Sequence, residues 1–98
     1  MWYNDIIYMT IKYLEKIFKS LATRKRLEII KLLTTQGGMS VSDIANRIKL
    51  SLKSTSKHLI VLRQAGFLDR EQKQYDALYS LAADLSSHER YLLKLVSD

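Results

Sequence analysis

Five residues in one short run, Ser51, Lys53, Ser54, Ser56 and Lys57, have the types and spacing of a recognition surface. A serine hydroxyl donates or accepts a hydrogen bond, and a lysine ammonium adds positive charge and three donors. That combination suits a partner rich in acceptors and negative charge. It does not suit bond-making, and the rest of the inventory agrees. There is no cysteine, no glycine-rich phosphate loop and no Gly-x-Ser-x-Gly turn to present a nucleophilic serine, so no enzyme activity, cofactor or metal is expected. A second polar group, Arg70, Lys73 and Gln74, follows the first at short range.

The elements that must position these residues are legible in the apolar spacing. Ser51 has the type of an N-cap, opening a helix of about 52–65 that Gly66 stops. At 100° per residue, Thr55, Leu59 and Leu62 share its inner face. Lys53, Lys57 and Gln64 fall opposite, with Ser54 and Ser56 on the flanks. Upstream, Ser40 and Asp43 are spaced as a near capping box ahead of Val41, Ile44, Ala45 and Ile48, a short helix joined to the next by Lys49-Leu50-Ser51. Downstream, 67–72 and 75–81 read as two strands with Lys73-Gln74 at the tip. Helix, tight turn, helix and hairpin together make a helix-turn-helix with a wing, which is a device for reading DNA.

Three further helices complete the chain. Ile7, Ile11, Leu14, Phe18 and Leu21 recur at spacings of four and three, widened by Ile6, Tyr13 and Ile17, and predict a helix near 4–20. Its apolar face is wider than a domain this small can cover, which predicts a partner helix from another chain. Thr23 caps a second helix with Leu27, Ile29, Ile30, Leu32 and Leu33 inward, ended by Gly37-Gly38. Arg24, Lys25 and Arg26 in its first turn oppose the helix dipole, an arrangement more easily explained by a nearby anion. Ser86 and Glu89 form a capping-box pair ahead of a last helix carrying Tyr91, Leu92, Leu93, Leu95 and Val96.

The bulk properties bound the function. The 98 residues make one domain, and 47% hydrophobic content is too high for a disordered chain. The net charge of +6 is uneven. Residues 12–31 and residues 47–73 each hold seven Lys or Arg against two acids, whereas the remainder holds two basic and six acidic residues. Such clustering points to a polyanion. The longest aliphatic run, Leu59 to Leu62, is far too short to cross a membrane. The start MWYNDIIYMTIKY has no basic lead and no cleavage site, so no signal peptide is read and a cytoplasmic location is expected.

At residue level these segments resemble a known family. LATRKRLEIIKLL, then VSDIANRIKLSLKSTSKHLIVLRQAGFL, then ALYSL, are similar to the ArsR/SmtB family of winged-helix repressors over about residues 18–81. The most specific part is the run from Leu50 to Leu68. The resemblance implies a homodimer built from the first and last helices, which suits the two apolar terminal helices. Two positions depart from the family pattern. Lys49 stands where the turn often has Gly, and the reading helix opens Leu52-Lys53 rather than Gln-Ser. Neither family metal site is supplied: Val41 to Ala45 holds no cysteine, and the last helix offers Asp84, His88 and Glu89 with a single histidine. His58, at the edge of the buried face, has three readings: packing or a backbone hydrogen bond, a DNA contact, or a metal ligand.

The expectation is a mainly α (α+β) winged helix-turn-helix in the order α1-α2-α3-α4-β-β-α5, a single domain over 1–98. Dimerisation helices fall in 1–20 and 84–98, the helix-turn-helix in 40–66 and the wing in 67–81. Its expected partners are double-stranded DNA, at a pseudo-palindromic operator, and a second copy through helices 4–20 and 86–97, with no membrane. Ser51, Lys53, Ser54, Ser56, Lys57, Arg70, Lys73 and Gln74 are the expected DNA contacts. A homodimeric repressor is the leading reading. A protein-interaction winged helix and a non-specific architectural DNA-binding protein are the alternatives.

Overall fold

The computed structural model describes residues 10–97. Among them the helices are α1 (Ile11–Leu21), α2 (Arg24–Gln36), α3 (Val41–Ile48), α4 (Leu52–Gln64) and α5 (Ser87–Ser97). The strands are β1 (Met39–Ser40), β2 (Leu68–Lys73) and β3 (Asp76–Leu81). The strands form an antiparallel sheet in the order β1-β3-β2. None of these helices is long and apolar enough to cross a membrane.

Local hydrogen bonding sets the helix starts where the side chains predict. Thr23, Ser40 and Ser51 each accept from the backbone N–H three residues on, at 3.1–3.2 Å. The Ser86/Glu89 box closes in both directions. The Ser86 N–H donates to Glu89 Oε1 at 2.8 Å, and the Glu89 N–H donates to Ser86 Oγ at 3.2 Å. At the far end of α4, Gly66 takes φ 91° and lets the Phe67 N–H reach the Leu62 carbonyl at 3.0 Å. That closure drives Phe67 into the core and starts β2 immediately.

One core serves all five helices. Ile17 and Leu21 of α1, Ile29, Ile30 and Leu33 of α2, Ile44 and Ile48 of α3, Leu59 and Leu62 of α4, and Leu93 of α5 pack with Phe67, Leu68 and Tyr79. The α4 face expected to be buried, Thr55, Leu59 and Leu62, is fully buried. The Thr55 hydroxyl has no hydrogen-bond partner there.

Three expectations are corrected. The sheet has a third strand, because Met39-Ser40 pairs with Tyr79 and Leu78. Two residues are too few to show a period-two pattern. The hairpin tip is Gln74-Tyr75 rather than Lys73-Gln74: Lys73 pairs with Asp76, and Gln74 turns the chain at φ 35°. The first helix does not run unbroken through 4–20. Thr10 is extended (φ −69°, ψ 156°) and caps a helix that begins at Ile11. Residues 4–9 of that expectation, Ile6 and Ile7 among them, lie outside the described residues.

Candidate nucleic-acid interface

The α3–α4 unit holds the first group of candidates in place. Its turn is tight because Lys49 takes the left-handed conformation (φ 56°, ψ 54°), which sends both its own N–H and that of Leu50 back to the Ala45 carbonyl. The left-handed position of this turn is thus held by a lysine rather than a glycine. From α2, Lys25 Nζ donates to the Ile48 carbonyl at the C-terminus of α3, where the helix dipole favours a cation. Lys25 also pairs with Glu28 at 3.3 Å.

Lys53 and Lys57 are exposed, and neither forms an ion pair among the described residues. Ser54 and Ser56 are half-buried beside them, and Ser51 is exposed at the cap. The Ser51 oxygen accepts from the Ser54 N–H, which leaves its hydroxyl hydrogen and one lone pair to offer. The second group stands apart on the wing. Arg70 Nη2 donates to Gln72 Oε1 at 3.0 Å, Lys73 Nζ pairs with Glu71 at 3.0 Å, and Gln74 is at the tip. All are exposed, and among the described residues no hydrogen bond or ion pair links them to the α4 group. The exposed Lys73–Glu71 pair is weak enough to be exchanged for a phosphate.

The basic start of α2 is mostly turned inward, against the expectation that it faces an anion. Arg26 Nη1 donates to the Lys19 and Ser20 carbonyls at 3.0 and 3.2 Å, and its Nε donates to His58 Nδ1 at 3.1 Å. Together with Lys25, this leaves Arg24 as the exposed member of the three. His58 is thus a structural acceptor on the flank of α4. Partial burial first, and the Arg26 charge second, lower its pKa below the ordinary histidine value. At the other terminus, Tyr13 donates to Glu89 Oε2 at 2.6 Å and lies 3.1 Å from His88 Nε2, tying α1 to α5. Burial works to raise the Glu89 carboxyl. Hydrogen bonds from Tyr13 and Ser86, with His88 nearby, outweigh it and hold the pKa below the ordinary glutamate range.

Two exposed side chains at the site were missed from sequence. Tyr75, expected within a strand, is 98% exposed on the wing tip. Leu52, which departs from the family pattern, is 57% exposed at the first position of α4. The helix count from Ser51 finds Leu52, whereas nothing in the sequence fixes the tip register that exposes Tyr75.

A helix-turn-helix domain family model matches residues 21–71. The chain is 38% identical over 61 residues to the arsenical resistance operon repressor of Escherichia coli, covering 61% of this chain and 52% of that protein. It is 30% identical over 83 residues to an uncharacterised HTH-type transcriptional regulator of Methanocaldococcus jannaschii, covering 85% and 90% respectively. Among solved structures it is similar to a homodimeric winged helix-turn-helix DNA-binding domain of Mycobacterium bovis, described as a possible ArsR-family regulator. That likeness has a TM-score of 0.75 and 27% identity, over 88% of this chain and 76% of that one. It is also similar to HlyU of Vibrio cholerae, with a TM-score of 0.74 and 25% identity, over 87% and 88%. The chain spans 52% to 64% of the length of the first three curated relatives it matches.

Proposed function

The chain belongs to the ArsR family of winged helix-turn-helix transcriptional regulators, and from that premise we propose that it is a homodimeric repressor that reads a pseudo-palindromic operator through α4. The observation that carries the reading is the outward face of α4, where Lys53 and Lys57 stand exposed, without an ion pair among the described residues, beside serines whose backbone is fixed by the Ser51 cap. A reading helix presents its N-terminal residues to base edges in the major groove, where serine and lysine meet the acceptors of guanine and adenine. Arg70, Lys73, Gln74 and Tyr75 on the wing lie where a hairpin meets the adjacent backbone or minor groove.

The dimer follows from surface. Ile11 is 88% exposed on α1, with Phe18 beside the same helix's solvent side, and Tyr91 and Leu95 are exposed on α5. A second copy covering these residues removes apolar surface that is left exposed among the described residues. Two α4 helices about a two-fold axis then meet half-sites about one helical turn apart.

Relatives named for arsenical and cadmium resistance prompt the question of a metal input. The chain does not fit a thiolate site, since it has no cysteine. In α5, His88 Nε2 is already within 3.1 Å of both Tyr13 Oη and Ser86 Oγ. The proposal therefore assigns no metal to the repressor.

A gel shift against random duplex at two salt concentrations is the first test. Affinity should fall with log salt at a slope of about −0.9 per phosphate neutralised. Selection from random DNA is the second, and a two-fold-symmetric consensus is the expected result. Absence of any shift at low salt would instead favour a protein-interaction module, and a shift without a consensus would favour an architectural DNA-binding protein.

A further inference from the structure

We propose that Leu52 reads the 5-methyl group of a thymine and so sets the base preference at one position of each half-site. The inference rests on α4 being the groove-reading helix. Leu52 is the first residue of α4, immediately after the Ser51 cap and one residue before Lys53. It belongs neither to the core nor to the partly buried shell packed on it, and it is 57% exposed.

That placement is unusual in physical terms. Every other α4 side chain assigned to the partner is a hydroxyl or an ammonium. A leucine pressed against the polar edge of a guanine, cytosine or adenine would strip water from donors and acceptors and replace nothing. The major groove of B-DNA offers an apolar group at only one of the four unmodified bases, the C5-methyl of thymine. Contact between that methyl and the isobutyl side chain removes apolar surface from water on both sides. The usual glutamine-type readers of adenine act by hydrogen bonding, and Leu52 has no means of doing so. Where the family pattern often has a glutamine able to hydrogen-bond, Leu52 offers an apolar contact alone.

The test uses the full chain and its selected operator. Each thymine of one half-site is replaced in turn by deoxyuridine, which removes the methyl and leaves the base-pairing edge intact. One replacement should weaken wild-type binding about three- to fivefold, the amount expected for one buried methyl. The same replacement should leave Leu52→Ala unchanged, while replacements elsewhere affect both proteins alike. Circular dichroism checks that Leu52→Ala is folded, which its exposure favours. If every deoxyuridine replacement that weakens the wild type weakens Leu52→Ala equally, or if none weakens the wild type, the assignment of Leu52 is overturned while DNA reading by α4 stands. If the wild type selects no sequence at all, the reading of α4 fails and the assignment goes with it.

Discussion

His58 shows how a single side chain on the reading helix is recruited for structure. Its Nδ1 accepts from Arg26, so the bonded form is the neutral imidazole. The folded pKa is held down by burial and by the Arg26 charge. As the pH falls, the unfolded chain therefore takes up the proton before the folded one does. The contribution of the pair is complete above the ordinary histidine pKa, near 6.5, and is lost progressively below it. Melting temperature should accordingly drop between pH 7.5 and 5.5, and His58→Gln should flatten that dependence. An equally steep profile in the variant would assign the acid sensitivity to other groups. Lys57 has the opposite character, since nothing in the described fold uses its charge. Lys57→Ala should leave stability within about 0.5 kcal/mol and lower operator affinity by about 1–3 kcal/mol. An unchanged operator titration would remove Lys57 from the interface.

At the scale of elements, the turn between α3 and α4 holds a measurable strain. Lys49 occupies a left-handed conformation that a Cβ disfavours. Lys49→Gly should raise unfolding stability by up to about 1 kcal/mol, the relief being offset partly by glycine's greater freedom in the unfolded chain. Chemical denaturation measures this, and a destabilised variant would mean that the lysine stem packs usefully. The same turn shows what sequence can and cannot reveal. The caps at Thr23, Ser40, Ser51 and Ser86 were legible because each partner lies three residues away. The buried face of α4 was legible from its period. Strand β1 was not, because its two residues become a strand only by pairing with Leu78 and Tyr79. The inward roles of Lys25 and Arg26 were also hidden, since their partners Ile48 and His58 lie 23 and 32 residues away. Of the interface candidates, placement on α4 was legible from the helix count. The tip of the wing slipped by one residue because no Asn-Gly pair fixes it.

The whole molecule is organised by which surface it leaves uncovered. Ile11 and Leu95 are exposed on the two terminal helices, which Tyr13 and Glu89 tie together, so α1 and α5 present their apolar residues from a joined pair. Ile11→Lys combined with Leu95→Glu removes nothing from the core, so the variant should fold and sediment as a monomer. Its operator affinity should fall about a hundredfold or more, because the second half-site can no longer be engaged intramolecularly. A monomeric wild type at micromolar concentration would defeat the dimer.

Arg26 acts like the rivet of a pair of dividers. Its guanidinium joins the end of α1 to the flank of α4 through Lys19, Ser20 and His58. In a dimer seated through α1, the gap between the two α4 helices is then a fixed length. On a double helix a length is also a phase, because each added base pair turns the next half-site by about 35° around the axis. Loosening the rivet with Arg26→Ala should therefore widen the range of spacer lengths bound in a series of operators and leave the preferred letters within each half-site unchanged.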